Sequence, residues 1–306
     1  DMGDDRTELV EIIKSYYLHQ KDSPYAALAK AMMSKAGIDE PDLLFEILVS
    51  IGVWDRDENL ELLKMEVPVE FSPEAGKNAK ELMQTSEDLF ESGRHDLTAL
   101  SMITIDGQST LDFDDALSIE KYGPNYRLGV HIADVAHYIA KESPLDQEAL
   151  TRGSSIYMPD MKIPMLPSIL AEDLCSLKEG VVRPAISLMI HITPSAEVLE
   201  YEILPSLIRV SRQMSYFEAN LLAEQDQEIA TLYHLAQEFQ QCRMEQRAVQ
   251  INLPEVNIWI NEDGSPVVTR TNRESPGRML VSELMILANW LMARDRKSTR
   301  LNSSHY

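Results

Sequence analysis

The hydrophobic period changes near residue 100, and that change fixes what the chain can fold into. Before it, apolar residues recur at helical spacing. Leu9, Ile12, Ile13 and Tyr16 form one stripe over 7–20. Ser23-Pro24 opens a second helix, with Ser as cap and Pro at the first position, and Gly37 ends it. Residues 39–51 repeat the pattern with Leu43, Leu44, Ile47 and Leu48. Three short helices followed by Val53-Trp54 and a polar turn predict a small helix-turn-helix or winged-helix-like unit. Asp39, Glu40, Asp42 and Glu46 lie together there and favour a helical packing module over nucleic-acid docking. A further helix over 74–92 leads to Gly93-Arg94-His95-Asp96, where a boundary is expected. Residues 1–95 are thus read as one helical N-terminal region.

From Leu100 the pattern is β-branched, alternating and bounded by turn residues. Strands are expected at 101–105, 116–119, 127–132, 185–192 and 198–204, with the last two paired. Residues 226–247 are helical, with Ile229, Leu232, Tyr233, Ala236 and Phe239 on one face. Val256, Ile258 and Ile260 alternate before Asp263-Gly264, a hairpin signal. A final helix over 276–292 is apolar on most of its circumference and expected to be buried. The fold class is α+β: a mixed or antiparallel sheet covered by helices over 96–296, after the helical region. Residues 297–306 have no pattern of their own and resemble vector read-through, so they are read as a non-native tail on a fragment.

Composition narrows the function. Lys+Arg number 28 and Asp+Glu 50, so the net charge is 28 − 50 = −22. That argues against a surface gripping nucleic acid everywhere, and leaves room for a local basic groove or a metal that reverses the local sign. Two cysteines, Cys175 and Cys242, make no disulfide framework, and a reducing, cytoplasmic setting is expected. No apolar stretch of ~20 residues is present to span a membrane.

The chemistry concentrates in Thr104-Ile-Asp106-Gly-Gln-Ser-Thr-Leu-Asp112-Phe-Asp114-Asp115-Ala116, four aspartates within ten positions. Apolar neighbours on both sides imply partial burial. Carboxylates this close cannot all stay ionised without a counter-charge. A hard divalent cation, Mg²⁺ or Mn²⁺, supplies one. A solvated acidic turn is the other reading, and both stay open at this point. The spacing is not that of an EF-hand.

The same segment resembles the signature of the RNB family, the ribonuclease II and ribonuclease R exoribonucleases. The blocks that follow also resemble it, in order: His131-Ile-Ala-Asp134-Val-Ala-His137, then Tyr157-Met-Pro-Asp-Met-Lys-Ile-Pro-Met-Leu-Pro167. Asp173-Leu-Cys175-Ser-Leu177, Arg183-Pro184 and Glu283-Leu-Met-Ile-Leu-Ala-Asn289 complete the series. The resemblance covers about 96–296. It implies hydrolysis of single-stranded RNA from the 3′ end to 5′-mononucleotides by Mg²⁺-assisted attack of water, with Mn²⁺ able to substitute. By the same resemblance Asp106, Asp112, Asp114 and Asp115 hold the metal, and Asp114 is the most direct catalytic residue. Tyr157 and Tyr216 align with positions that contact RNA. A monomer is expected for the full-length form.

Departures are visible. Ile251 stands where some relatives place a base-stacking Phe, and Ser282 where many have a first of two Glu. The later Ser-Pro-Ile-Arg-Arg type motif and the C-terminal RNA-binding barrel are absent, which the fragment reading explains, so this chain is expected to be weakly active or inactive by itself. A catalytically silent RNA-binding relative and a divalent-metal phosphohydrolase acting on a small substrate are the competing readings. Lys162, Lys178, Arg183, Arg209 and Arg212 are candidates for lining an RNA channel or for ordinary surface charge. His131 and His137 flank Asp134 with metal-like spacing, but their strand-then-turn context favours hydrogen-bonding roles.

Overall fold

A computed structural model describes residues 2–84, 89–251, 255–261, 263–271 and 275–303. Two compact units divide at Glu70/Phe71.

The first unit contains α1 (Met2–His19), α2 (Ala26–Ala36), α3 (Asp42–Ser50) and α4 (Leu60–Lys64). Gly37 takes the left-handed conformation that closes α2, with φ 67°. Asn59 caps α4 by accepting from the Leu62 N–H. Ile12, Tyr16, Ala29, Met33 and Leu44 make the core, and Tyr17, Phe45 and Trp54 pack as an aromatic trio beside one another. The unit is helical, with no strand among its described residues.

The second unit begins with α5 (Pro73–Gln84), followed by β1 (His95–Asp96), β2 (Met102–Asp106), β3 (Asp115–Tyr122) and β4 (Asn125–Ala133). Next come α6 (Val135–Tyr138), α7 (Pro144–Arg152), β5 (Ile156–Tyr157), β6 (Lys162–Ile163), β7 (Val182–Ile192), β8 (Val198–Arg209) and β9 (Arg212–Ser215). The chain continues through α8 (Tyr216–Leu222), α9 (Gln227–Glu245), β10 (Glu255–Ile260), β11 (Pro266–Thr271) and α10 (Pro276–Ser303). Seven strands form one sheet in the order β1-β8-β7-β4-β3-β2-β9. Its central pairs are antiparallel, while β1–β8 and β2–β9 are parallel, so the sheet is mixed.

Helices α9 and α10 cover one face. Leu232, Leu235, Leu284, Leu287 and Leu291 pack against Ile103, Leu117, Leu128, Val130 and Leu188 of the strands. The stripe of α10 predicted from the sequence is buried as expected, although Trp290 and Ile286 on its flank stay exposed. The opposite face carries Met102, Ala116, Ala185 and Ile208.

The packing divides at Glu70/Phe71, ahead of the boundary expected near residue 95. The reason is α5, whose fully buried Ala75 and Ala79 let it approach Leu145, Leu166 and Leu170 closely. Of the helix expected over 74–92, α5 is described to Gln84, residues 85–88 lie outside the described ones, and Leu89–Ser92 forms a 3-10 turn. Helix α10 runs unbroken to Ser303. Residues 304–306 lie outside the described ones.

Candidate active site

The acidic motif spans the connection between two neighbouring strands of the sheet. Strand β2 ends at Asp106, a turn closed by Thr110 N–H to the Gly107 carbonyl follows, and β3 starts at Asp115. Between them, residues 111–114 are stitched down on both sides. The buried Ser176 hydroxyl accepts from the Phe113 N–H at 3.0 Å and donates to the Leu111 carbonyl at 3.0 Å. Leu177 N–H donates to the Phe113 carbonyl, and Ala133 N–H to that of Asp114. Phe113 packs inward with Met102 and Leu177, so the two aspartates that flank it are left to line the cavity outside. Ser176 is held in turn by Arg183, whose Nε donates to the Ser176 carbonyl at 3.2 Å.

Asp106, Asp112 and Asp114 meet at one cavity of about 740 Å³, joined by Tyr157, Lys162, Glu172 and the stretch Val256 to Trp259. Asp115 is not among the lining residues, but its charge raises the proton affinity of Asp106. Burial, then repulsion from Asp115, Asp114 and Asp112, pushes Asp106 up to about 7. Its Oδ2 atom is buried with no hydrogen-bond partner. Burial and Asp114 push Asp115 up to about 6. Asp114 is shifted upward too, by burial and by Asp112. Asp112 is the exception. Burial works against its ionised form, but Lys162 Nζ donates to its Oδ2 at 2.9 Å and Tyr157 Oη donates at 3.1 Å, and the net shift is downward. Lys162 also reaches Glu172 at 3.3 Å. One carboxylate therefore has its proton affinity lowered beside three whose proton affinity is raised.

An all-oxygen donor set with an orphaned buried carboxylate oxygen suits a hard dication. Among the described residues no three His, Cys, Asp or Glu side chains are drawn closely enough together to cage one.

Tyr157, in the β5–β6 hairpin, is 67% exposed, with its hydroxyl on Asp112. Tyr216 is placed by strand register. Asp106 pairs with Ser215 across the parallel β2–β9 ladder, and Ser215 caps α8 in a reciprocal box with Glu218. The next residue, Tyr216, therefore starts its helix beside Asp106. Its phenol is shifted upward by burial and then by Asp106, and the Arg278 guanidinium lies 4.5 Å from its ring centroid. Tyr216 does not line the cavity that holds Tyr157.

Most of the basic subset is committed elsewhere. Lys178 and Arg183 both pair with Asp173, and Arg212 with Asp226. Lys162 is the one Lys or Arg among the described residues that line the cavity. His131 is fully buried between Ser118 at 2.9 Å and Ser187 at 2.6 Å, and burial holds it down at about 3. Asp134 pairs with Arg94 at 2.5 Å, and the same Arg94 nitrogen reaches His137 Nδ1 at 3.3 Å. The flanking histidines thus serve two separate hydrogen-bond networks. Ile251 and Ser282 share a different groove, of about 560 Å³, with Glu283, which Arg243 holds at 2.7 and 2.9 Å.

Sequence reasoning missed Ser176, Arg278, Glu172 and Trp259. Ser176 had a signal in its position between Cys175 and Leu177, inside a matched block. The other three had none beyond their residue type.

Residues 94–303 match the family model described as RNB domain, and residues 1–60 the one described as Double HTH domain. The chain belongs to the RNB family. Ribonuclease R of Chlamydia pneumoniae is 37% identical over 234 residues, which are 73% of this chain and 34% of that protein. The chain spans about a third of the length of the curated relatives it matches. A solved structure titled Mycoplasma genitalium RNase R in complex with ribose methylated single-stranded RNA superposes with a TM-score of 0.70 at 24% identity, covering 77% of this chain and 39% of that one. An active-site mutant of the Dss1 exoribonuclease from Candida glabrata superposes with a TM-score of 0.77 at 19% identity, covering 96% and 41%. At these identities the two structures establish the fold.

Proposed function

We propose that this chain carries the hydrolytic centre of a divalent-metal-dependent exoribonuclease. It would shorten single-stranded RNA from the 3′ end and release 5′-mononucleotides, as a monomer in the cytoplasm. The observation that carries the reading is the meeting of Asp106, Asp112 and Asp114 at one cavity with an exposed tyrosine, in a chain of the RNB family. Relatives named Ribonuclease R, and one solved with single-stranded RNA, support the substrate class.

Asp106, Asp112 and Asp114 from the cavity lining, with Asp115 beside them, would hold Mg²⁺ or Mn²⁺. Bound there, the ion would neutralise charge on the scissile phosphate and activate water near neutral pH. The protein's part is placement and proton control. Ser176 and Leu177 fix the backbone on either side of Asp112. Lys162 and Tyr157 keep Asp112 ionised and aimed. Burial and the neighbouring carboxylates make ionised Asp106 costly without a counter-charge, and a dication held there would supply it. Tyr157 offers a ring face that any base can stack on.

The test uses the 306-residue chain in excess over a 3′-tailed RNA, so that a slow single turnover is visible. With Mg²⁺ or Mn²⁺ the expected products are 5′-mononucleotides, and EDTA abolishes them. Products ending in 2′,3′-cyclic phosphate would show attack by the ribose hydroxyl and overturn the proposal.

A further inference from the structure

The β10–β11 hairpin pairs with itself, outside the seven-stranded sheet. A two-stranded ribbon standing alone is marginally stable in water. This one exposes Val256, Ile258, Trp259 and Ile260 on its first strand, and Val267 and Val268 on its second. Apolar surface on that scale marks a binding site more often than chance. Its first strand also has a definite outlook. Val256 to Trp259 form a wall of the same 740 Å³ cavity that Asp112, Asp114 and Tyr157 line. Trp259 is 47% exposed there. A carboxylate-lined cavity therefore carries two accessible aromatic side chains, one from the β5–β6 hairpin and one from β10.

We infer that Trp259 is a stacking platform for a base of single-stranded RNA held in the active-site cavity, with β10 forming one wall of the RNA path. The inference rests on the exoribonuclease reading and adds to it. Among the described lining residues Lys162 is the only cation, and it is already engaged by Asp112 and Glu172. Side-chain charge therefore gives an incoming polyphosphate chain little to hold here. The remaining attraction has to come from faces, and an indole presents the largest π surface of any side chain. A base lying on Trp259 also covers apolar surface that the hairpin cannot cover itself. The cavity's size is within the ~300–1,000 Å³ usual for ligand sites.

The test is binding of a fluorescein-labelled ten-nucleotide oligo(A) RNA to the full 306-residue chain in EDTA, followed by anisotropy. Trp259→Leu keeps an apolar side chain but removes the π face, and it is expected to weaken binding about 5- to 150-fold, the range for losing one base stack. Trp259→Phe is expected to stay within about threefold of wild type, since a smaller π face remains. An independent readout leaves Trp259 in place. In Trp290→Phe the exposed indole that remains is Trp259, because Trp54 is buried, and its fluorescence should quench on adding unlabelled RNA. Wild-type binding with Trp259→Leu unchanged and no quenching overturns this inference and leaves the exoribonuclease reading standing. Unchanged RNA binding with loss of self-association in sedimentation would assign the wall to a second copy of the chain and overturn it too. No RNA binding by wild type overturns both readings together.

Discussion

The sheet beside the acidic motif is held by a buried polar network that leaves no room for a methyl group at Gly129. Gly129 pairs with Ser118 across β3–β4. A Cβ built on it would overlap Ser118 Oγ and lie 2.5 Å from His131 Nε2. Ser118 and His131 are 2% and 0% exposed, and their mutual bond is 2.9 Å. His131 is pinned on its other side by Ser187, which bonds Ser206 at 2.6 Å, so neither can step aside. Gly129→Ala therefore has to part Ser118 from His131. Overpacking of this kind costs ~1–3 kcal/mol, and a buried hydroxyl or ring nitrogen left unbonded adds ~1–3 kcal/mol. The expected destabilisation is about 3–5 kcal/mol, or roughly 6–20 °C in Tm for a unit of this size. Thermal and urea unfolding of the full chain measure it. Removing the hydroxyl makes space, so Ser118→Ala/Gly129→Ala should be less destabilised than the sum of its single variants by ~1 kcal/mol or more. A Gly129→Ala loss below ~1 kcal/mol, or strict additivity in the double variant, would refute the steric argument.

His131 gives a pH test. Its folded pKa is about 3 against an ordinary 6.5, so the unfolded chain takes the proton first as pH falls. Its stabilising contribution is complete above 6.5 and declines toward 3, by about 2 kcal/mol between pH 6.5 and 5. Asp106 and Asp115, shifted upward, tilt that window the opposite way, so the measurement is the difference in stability slope between wild type and His131→Asn. Equal slopes would contradict it. Ser176→Ala frees the backbone on both sides of Asp112 and should lower single-turnover rate about tenfold or more with RNA affinity nearly unchanged; a change confined to affinity would deny Ser176 its positioning role. Lys162→Met removes an ammonium bonded to Asp112, and Mn²⁺ titration by calorimetry should show tighter binding, by several-fold, where weaker binding would reverse the assignment.

Residues whose role is local were readable in the sequence. The alternation in β3, β4, β7 and β8 and the stripe of α9 located the sheet and one of its covering helices. The aspartates showed themselves because Phe113 and Leu111 interrupt them, and it is Phe113 packing inward that leaves Asp112 and Asp114 on the cavity. Features that depend on partners far along the chain were not readable. Ala75 and Ala79 are too small to mark a hydrophobic stripe, yet their burial joins α5 to the second unit, whose packing starts at Phe71. Ser176 lies about sixty positions from the loop it holds, and its place between Cys175 and Leu177 marks the segment without showing which loop it holds. Lys162 was one of five candidates for a channel or for surface charge, and the β5–β6 hairpin is what brings it to Asp112. Tyr216 depends on the parallel register of β2 and β9, a pairing between strands more than a hundred residues apart.

The most direct test of the central claim is Asp114→Asn in the 306-residue chain, with protein in excess over a 3′-tailed single-stranded RNA and Mg²⁺ present. The substitution keeps the shape of a side chain that lines the cavity and deletes its charge. Mononucleotide release is predicted to slow by a factor of ~10²–10³ or more, while RNA affinity measured in EDTA stays within about threefold. Release at the wild-type rate from Asp114→Asn would contradict the account.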